Sequence, residues 1–170
     1  MLKSKTVQPS IRLPIETDHG TFQAAYSHNG LATLDFPGRK PAASSSAEVS
    51  KEVRQWHKLT TRALSAVLSG RAAAKLPPLD MSAGTDFQRQ VWRAMQRIRT
   101  GQTRGYAEIA REIGRPKAVR AVGGACGANP IPVLVPCHRV LAANRRLGGF
   151  SGGIEWKIKL LAREGVAVRA

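Results

Sequence analysis

The segment Asn129-Pro130-Ile131-Pro132-Val133-Leu134-Val135-Pro136-Cys137-His138-Arg139-Val140 constrains this chain more than any other. Its apolar run has the length and composition of a buried core segment. Three of its residues are prolines, which supply no ladder donor and so exclude a central strand. The reading is a rigid extended loop, threaded through the interior, that holds the Cys137 sulfur in one place.

What a fixed sulfur can do depends on its neighbours. A free cysteine is often a small core hydrophobe, and Cys126, on the apolar stripe of a helix, fits that description. Cys137 differs because His138 and Arg139 follow it directly. A base or cation beside a thiol lowers its pKa and makes the thiolate available. Adjacent residues of an extended segment point opposite ways, so a water bridge from His138 to the thiol is as natural as direct contact. A carboxylate such as Glu164, placed against the dipole at the end of the last helix, could orient His138 as the third member of a relay. Cys126, Cys137, His138, His19, His28 and His57 form no zinc spacing, so no metal is expected.

The rest of the chain reads in two parts. Thr21–Tyr26 and Leu31–Phe36 flank His28-Asn29-Gly30, a hairpin signal. Residues 1–10 are polar and expected to be loose, and residues 38–46 read as a linker. Ser45 and Glu48 have capping-box spacing, which predicts a helix start there. Val49, Val53, Trp56, Ala63, Leu64 and Val67 continue it as a stripe that Gly70 stops. After Leu76-Pro77-Pro78-Leu79-Asp80 a boundary is placed near Gly84. The division is residues 1–83, a small strand-and-helix domain, and residues 84–170, a mainly helical domain; the class is α+β.

Thr85 and Gln88 form a second capping box. Phe87, Val91, Met95 and Ile98 line one face of the helix it opens, and Arg89, Arg93 and Arg97 the other. Tyr106–Glu112 reads as a short helix stopped by Gly114, and Pro116 as the first turn of the next, which together predict a helix-turn-helix. The second helix carries Lys117 and Arg120 beside Ala118, Ala121, Gly123, Gly124 and Ala125. Small residues let a large partner approach closely, and they equally permit tight helix packing. Lys and Arg number 27 against 11 Asp and Glu, a formal charge of +16, which attracts polyanions and favours nucleic acid. A glycine-rich segment, Asn144–Gly153, and a last helix from Ile154 to Arg163 complete the chain. Two cysteines make no disulfide framework, nothing near the first residues resembles a signal peptide, and no run could span a membrane. A reducing, cytoplasmic setting is expected.

Pro136-Cys137-His138-Arg139-Val140 resembles the active-site signature of the O6-alkylguanine-DNA alkyltransferases. Phe87-Gln88-Arg89-Gln90-Val91-Trp92 and Arg120-Ala121-Val122-Gly123-Gly124-Ala125 resemble that family's opening and recognition helices. Asn129-Pro130, Ser151-Gly152-Gly153 and Leu161-Ala162-Arg163-Glu164-Gly165 follow in its order and spacing. The resemblance is close from about Gly84 to Gly165 and holds in outline before that.

It implies DNA repair without a cofactor. Cys137 would take the alkyl group from guanine O6 and keep it as a thioether, with His138 acting through water and Glu164 orienting it. Asn129 would hold the loop, and Tyr106 would polarise the leaving group. Arg120 would fill the space of the flipped base, with Lys117, Ala121 and Gly123 also on the DNA, in the minor groove. The carbonyls of Cys137 and Val140 would accept from the guanine amino group, and Ser151 would lie against the alkylated oxygen. O4-methylthymine would be a further substrate. Phe150 stands where many members have tyrosine, which removes one side-chain hydrogen bond and bears on alkyl preference. The partner would be duplex DNA, bound by a monomer able to cluster on it. Two other readings use the same residues: a non-catalytic DNA-binding regulator, and a cysteine hydrolase built on Cys137, His138 and Glu164.

Overall fold

The computed structural model describes residues 11–40 and 48–168. Its first element is an antiparallel sheet of β1 (Ile11–Thr17), β2 (Gly20–Ser27) and β3 (Gly30–Asp35), in that order. The hairpin around His28 and Asn29 forms as its turn signal predicts. β1 is an addition, paired from Ile11 opposite Tyr26 to Thr17 opposite Gly20. Gly30 has a φ of 138°, and a Cβ there would lie 2.2 Å from the Pro78 carbonyl oxygen, so only glycine fits. That closeness lets the connector bond along the edge of β3: Leu31 N donates to Pro78 O and Asp80 N to Leu31 O, both at 2.8 Å. Further along, Leu34 N donates to Pro130 O at 3.0 Å. An edge strand that would otherwise present unpaired groups is thereby covered.

Helix α1 (Lys51–Leu68) starts later than expected. Its cap is Ser50, whose hydroxyl accepts from Val53 N at 3.2 Å. Ser45 and most of the linker segment lie outside the described residues, as do residues 1–10 and their expected looseness. The stripe Val53, Ala63, Leu64 and Val67 is buried as the periodicity requires. Ser69 and Gly70 end the helix, Gly70 with a φ of 75°.

Helix α2 (Asp86–Gln96) opens on the expected capping box, with Gln88 N on the Thr85 hydroxyl at 3.2 Å and Thr85 N on Gln88 Oε1 at 2.9 Å. Val91, Met95 and Ile98 are buried, and Arg93 and Arg97 face outward. A short strand β4 (Arg104–Gly105) leads into α3 (Tyr106–Glu112). Helix α4 (Val119–Gly127) begins three residues after Pro116. Residues 115–118 form a turn, with Ala118 N on Arg115 O at 2.9 Å, so proline serves the turn rather than the first turn of helix. The helix-turn-helix is otherwise as read. Trp92 Nε1 donates to Ala125 O at 2.8 Å and ties α4 to α2.

The strand β5 (Val140–Leu141) pairs in parallel with β4, Arg104 opposite Val140 and Gly105 opposite Leu141. This two-residue ladder sets the start of α3 beside the chain leaving Cys137. Helix α5 (Ile154–Arg163) closes the fold. One continuous cluster of buried side chains runs from Ile15 and Phe22 through Val91 and Val122 to Val140 and Leu160, so both parts of the chain share a core.

Thr85→Ala removes the hydroxyl that caps α2 and lowers stability by about 1 kcal/mol, read from urea unfolding midpoints; an unchanged midpoint would show that the cap contributes nothing.

Candidate active site

The segment before Cys137 is buried but not extended. Val135 N donates to Ile131 O at 2.9 Å, Cys137 N to Val135 O at 2.8 Å and Arg139 N to Pro136 O at 3.0 Å. The chain thus folds into consecutive turns and ends in a 3₁₀ turn at Cys137–Arg139. Proline's fixed φ suits turns as well as extended chain, and the turns satisfy backbone groups that a buried extended loop would leave unpaired. Val133 sits at φ 74°, a conformation that costs a β-branched residue about 1–3 kcal/mol. Asn129 braces the segment from both sides. Its Nδ2 donates to Val135 O at 2.8 Å, and its Oδ1 accepts from Ile131 N at 3.0 Å.

Cys137 is 4% exposed and His138 fully buried. His138 Nε2 donates to Glu164 Oε1 at 2.9 Å, which leaves Nδ1 with its lone pair. Nδ1 is buried and has no protein partner. Glu164 also meets Arg139, whose Nη2 lies 2.8 Å from Oε1 and whose Nε lies 3.0 Å from Oε2. Gly101 N adds a bond to Oε2 at 3.3 Å. Arg139 spends its remaining donors on Ile98 O at 2.7 Å and the Thr100 hydroxyl at 3.1 Å.

These contacts decide the protonation states. Burial alone would raise the Glu164 pKa, but hydrogen bonds from His138 and Arg139, and the Arg139 charge, outweigh it and bring it down to about 2. Burial lowers the pKa of His138, against the pull of Glu164. Burial raises that of Cys137, against Asn129 and the charge of Lys157. The expectation of a thiol whose pKa is lowered by its neighbours is therefore corrected: Arg139 turns to Glu164 instead of the sulfur, and desolvation dominates. Both shifts favour the neutral forms, a protonated Cys137 thiol and an uncharged His138 imidazole.

Lys157 is a buried cation near Cys137 that sequence reasoning missed. It is 1% exposed, and its Nζ donates to Val140 O at 2.7 Å. It lies three and four residues before Leu160 and Leu161 on the buried stripe of α5, and a lysine in register with an apolar stripe is the signal that could have revealed it. Cys126 is a buried core residue whose thiol donates to Met95 Sδ at 3.5 Å, and burial pushes its pKa up to about 12.

Around this centre the structure distributes the remaining sequence candidates. Tyr106 is the first residue of α3, half-buried, its pKa raised by burial and then by the two thiols. A cavity of about 400 Å³ opens beside it, lined by Tyr106, Val119, Leu141 and Ala142 among others. Val140 is buried in β5. Phe150 and Ser151 lie on the glycine-rich segment, Phe150 partly buried and Ser151 exposed. On the helix-turn-helix, Lys117, Arg120, Ala121 and Gly124 are exposed, whereas Gly123 is partly buried, where a Cβ would come within 4.0 Å of the Tyr106 ring. Among the described residues no group of three or more His, Cys, Asp or Glu side chains converges to hold a metal.

The family model described as 6-O-methylguanine DNA methyltransferase, DNA binding domain, matches residues 86–166. A methylated-DNA–protein-cysteine methyltransferase of Methanosarcina acetivorans is 40% identical over 154 residues, covering 88% of this chain and 95% of that protein. One of Mycolicibacterium paratuberculosis is 57% identical over 81 residues, 48% of this chain; here the match spans about half of the relative, 49% of its length. The crystal structure of Mycobacterium tuberculosis OGT in complex with DNA aligns with a TM-score of 0.75 and 36% identity, covering 89% of this chain and 90% of that one.

Because the folded pKa of Glu164 lies below its ordinary 4.5, the carboxylate contributes stability that is full above about pH 4.5 and is lost as pH falls toward about 2. Glu164→Gln removes that dependence, so its unfolding free energy, measured in urea across this range, starts lower and follows a flatter course than that of the parent. Parallel curves would mean that the carboxylate is not held ionised by His138 and Arg139.

Proposed function

The chain belongs to the methylated-DNA–protein-cysteine methyltransferases, and on that premise we propose that Cys137 removes the alkyl group from O6 of an alkylated guanine in duplex DNA and keeps it. The observation that carries this reading is the His138–Glu164 bond of 2.9 Å with Cys137 next to His138 in the same buried turn.

The thiol proton passes through a water to His138 Nδ1, while Glu164 stabilises the imidazolium that forms. The thiolate attacks the alkyl carbon in line, the S–C bond forms and the C–O6 bond breaks. The electron pair leaves on the guanine, which takes a proton by way of the Tyr106 hydroxyl. A thioether has no leaving group that water can displace readily, so each molecule acts once and no cofactor enters. The same attack serves O4-methylthymine. The carbonyls of Cys137 and Val140 accept from the base, and Ser151 lies against the alkylated oxygen.

An alkyl carbon inside a base stack is closed to in-line attack, so the nucleotide is rotated out, at a cost of about a few kcal/mol. Helix α4 is suited to this. Its exposed Arg120 stands beside Ala121 and Gly124, small enough to let a shallow groove come close while one long side chain enters the duplex. Lys117 and the formal charge of +16 supply phosphate attraction without sequence preference. Free thiols suit a reducing compartment, in keeping with a cytoplasmic site of action.

Mixing the protein with a duplex that carries one O6-methylguanine is expected to add one methyl group to Cys137, seen as intact mass and mapped by peptide. Cys137→Ala is expected to bind the duplex without gaining mass. Binding without mass gain in the parent would leave a regulator, and repeated turnover on small acyl substrates would leave a hydrolase.

A further inference from the structure

The glycine-rich segment is held at both ends. At one end Gly148, with φ 65°, lies so near Tyr106 that a Cβ would come within 2.9 Å of the hydroxyl. At the other, three consecutive residues rest on the chain leaving β3. The Phe150 ring meets Phe36 edge-on at 5.7 Å. Ser151 O accepts from Arg39 Nη2 at 3.0 Å. A Cβ on Gly152 would fall 2.4 Å from the Phe36 ring, so the backbone lies flat against that ring. Phe36 cannot give way easily: it is 5% exposed and wedged against Phe22 at 5.5 Å and Trp156 at 5.0 Å. Between the two anchors, a Cβ on Gly149 would meet nothing within 4 Å. A cleft of about 240 Å³ beside this contact is lined by Asp35, Phe36, Arg39, Asn129, Pro130 and Ser151. The residue that braces the nucleophile's turn and the residue that carries the substrate loop therefore share one boundary.

We propose that Phe36 and Arg39 set the size of alkyl group that the protein accepts, by fixing the distance of the Phe150–Gly152 loop from Cys137. The inference rests on the reading above, in which that loop faces the alkylated oxygen. A loop pinned against a rigid aromatic ring would keep the room for the alkyl group constant. Releasing the pin lets the loop recede, and the gain goes to bulky groups. Both residues act through the loop and touch no reacting atom, so they are positioning residues.

The test compares single-turnover transfer from duplexes bearing O6-methylguanine and O6-benzylguanine. Phe36→Leu is expected to raise the benzyl-to-methyl rate ratio by about tenfold, the scale on which one methylene acts in an apolar pocket. Arg39→Ala, at an exposed side chain, is expected to move the ratio in the same direction by less, with an unchanged thermal midpoint. The ratio is insensitive to loss of active protein, because both rates fall together. An unchanged ratio in folded Arg39→Ala and Phe36→Leu would overturn the proposal, as would an unchanged ratio in Arg39→Ala alone if the Phe36 variant does not fold. Absence of methyl transfer in the parent would instead overturn the alkyl-transfer reading, and this inference with it.

Discussion

Arg139 and Glu164 meet inside the protein through three hydrogen bonds of 2.8 to 3.2 Å. Burying two charges is expensive, and such a pair holds only when nearly every donor and acceptor is met. Here they are. Glu164 also accepts from His138 and Gly101 N, and Arg139 also donates to Ile98 O and Thr100. Removing either partner from a bridge of this kind leaves an unmatched buried charge, at about 3–5 kcal/mol. The end of α2, the 3₁₀ turn and the end of α5 are thereby joined at one point. His138 inherits its position from that junction, so the geometry of the reacting groups is set by an interaction the fold itself requires.

The same junction bears on how the thiol would be activated in the proposed reaction. The buried charges of Glu164 and Arg139 offset each other, and burial favours the neutral forms of both Cys137 and His138. Proton transfer between them would create two new charges: an imidazolium against Glu164, and a thiolate that the charge of Lys157 favours. In a site of low dielectric such interactions between opposite charges are strong. Stabilisation that appears only as charge develops is the kind that lowers a barrier.

Much of this was legible in the sequence because it is local. The Thr85 box, the stop at Gly114 and the hairpin at Asn29 depend on residues within a few positions of each other. Ser45 and Glu48 match the same local pattern, yet α1 is capped by Ser50: a serine-rich stretch offers more than one candidate cap, and the local pattern cannot choose among them. Pro116 fits a helix start and a turn equally well, and spacing alone cannot choose. β1 escaped notice because Pro14 lowers its strand signal, although Ile11, Leu13 and Ile15 alternate with Arg12, Pro14 and Glu16; it forms as an outer strand paired with β2. The turns before Cys137 were invisible because they depend on Asn129 reaching two backbone groups across the segment. Lys157 and the Arg139–Glu164 pair are long-range, and only the packing of α5 against the active turn brings them together.

A neutral, buried thiol is a consequence of the fold that also suits its use. A low-pKa, exposed thiolate reacts with any electrophile or oxidant that reaches it. A thiol alkylated only once, as proposed, has to be kept from such losses. Burial raises the Cys137 pKa and leaves 4% of the residue exposed, so attack needs both an alkyl carbon delivered in line and a proton acceptor already in place. Phosphate contacts from a strongly basic surface bring the protein to any duplex, and they discriminate little. In the proposed reaction selectivity therefore falls to the last few ångströms, to the glycine-rich loop, Tyr106 and the Cys137 turn. β3 and the residue that follows it touch two of those three segments, through Leu34 N on Pro130 O and Phe36 beneath Gly152. The small sheet is thus in direct contact with the segment that leads to Cys137 and, if Phe36 and Arg39 act as proposed, a change in its packing would alter the space at the sulfur.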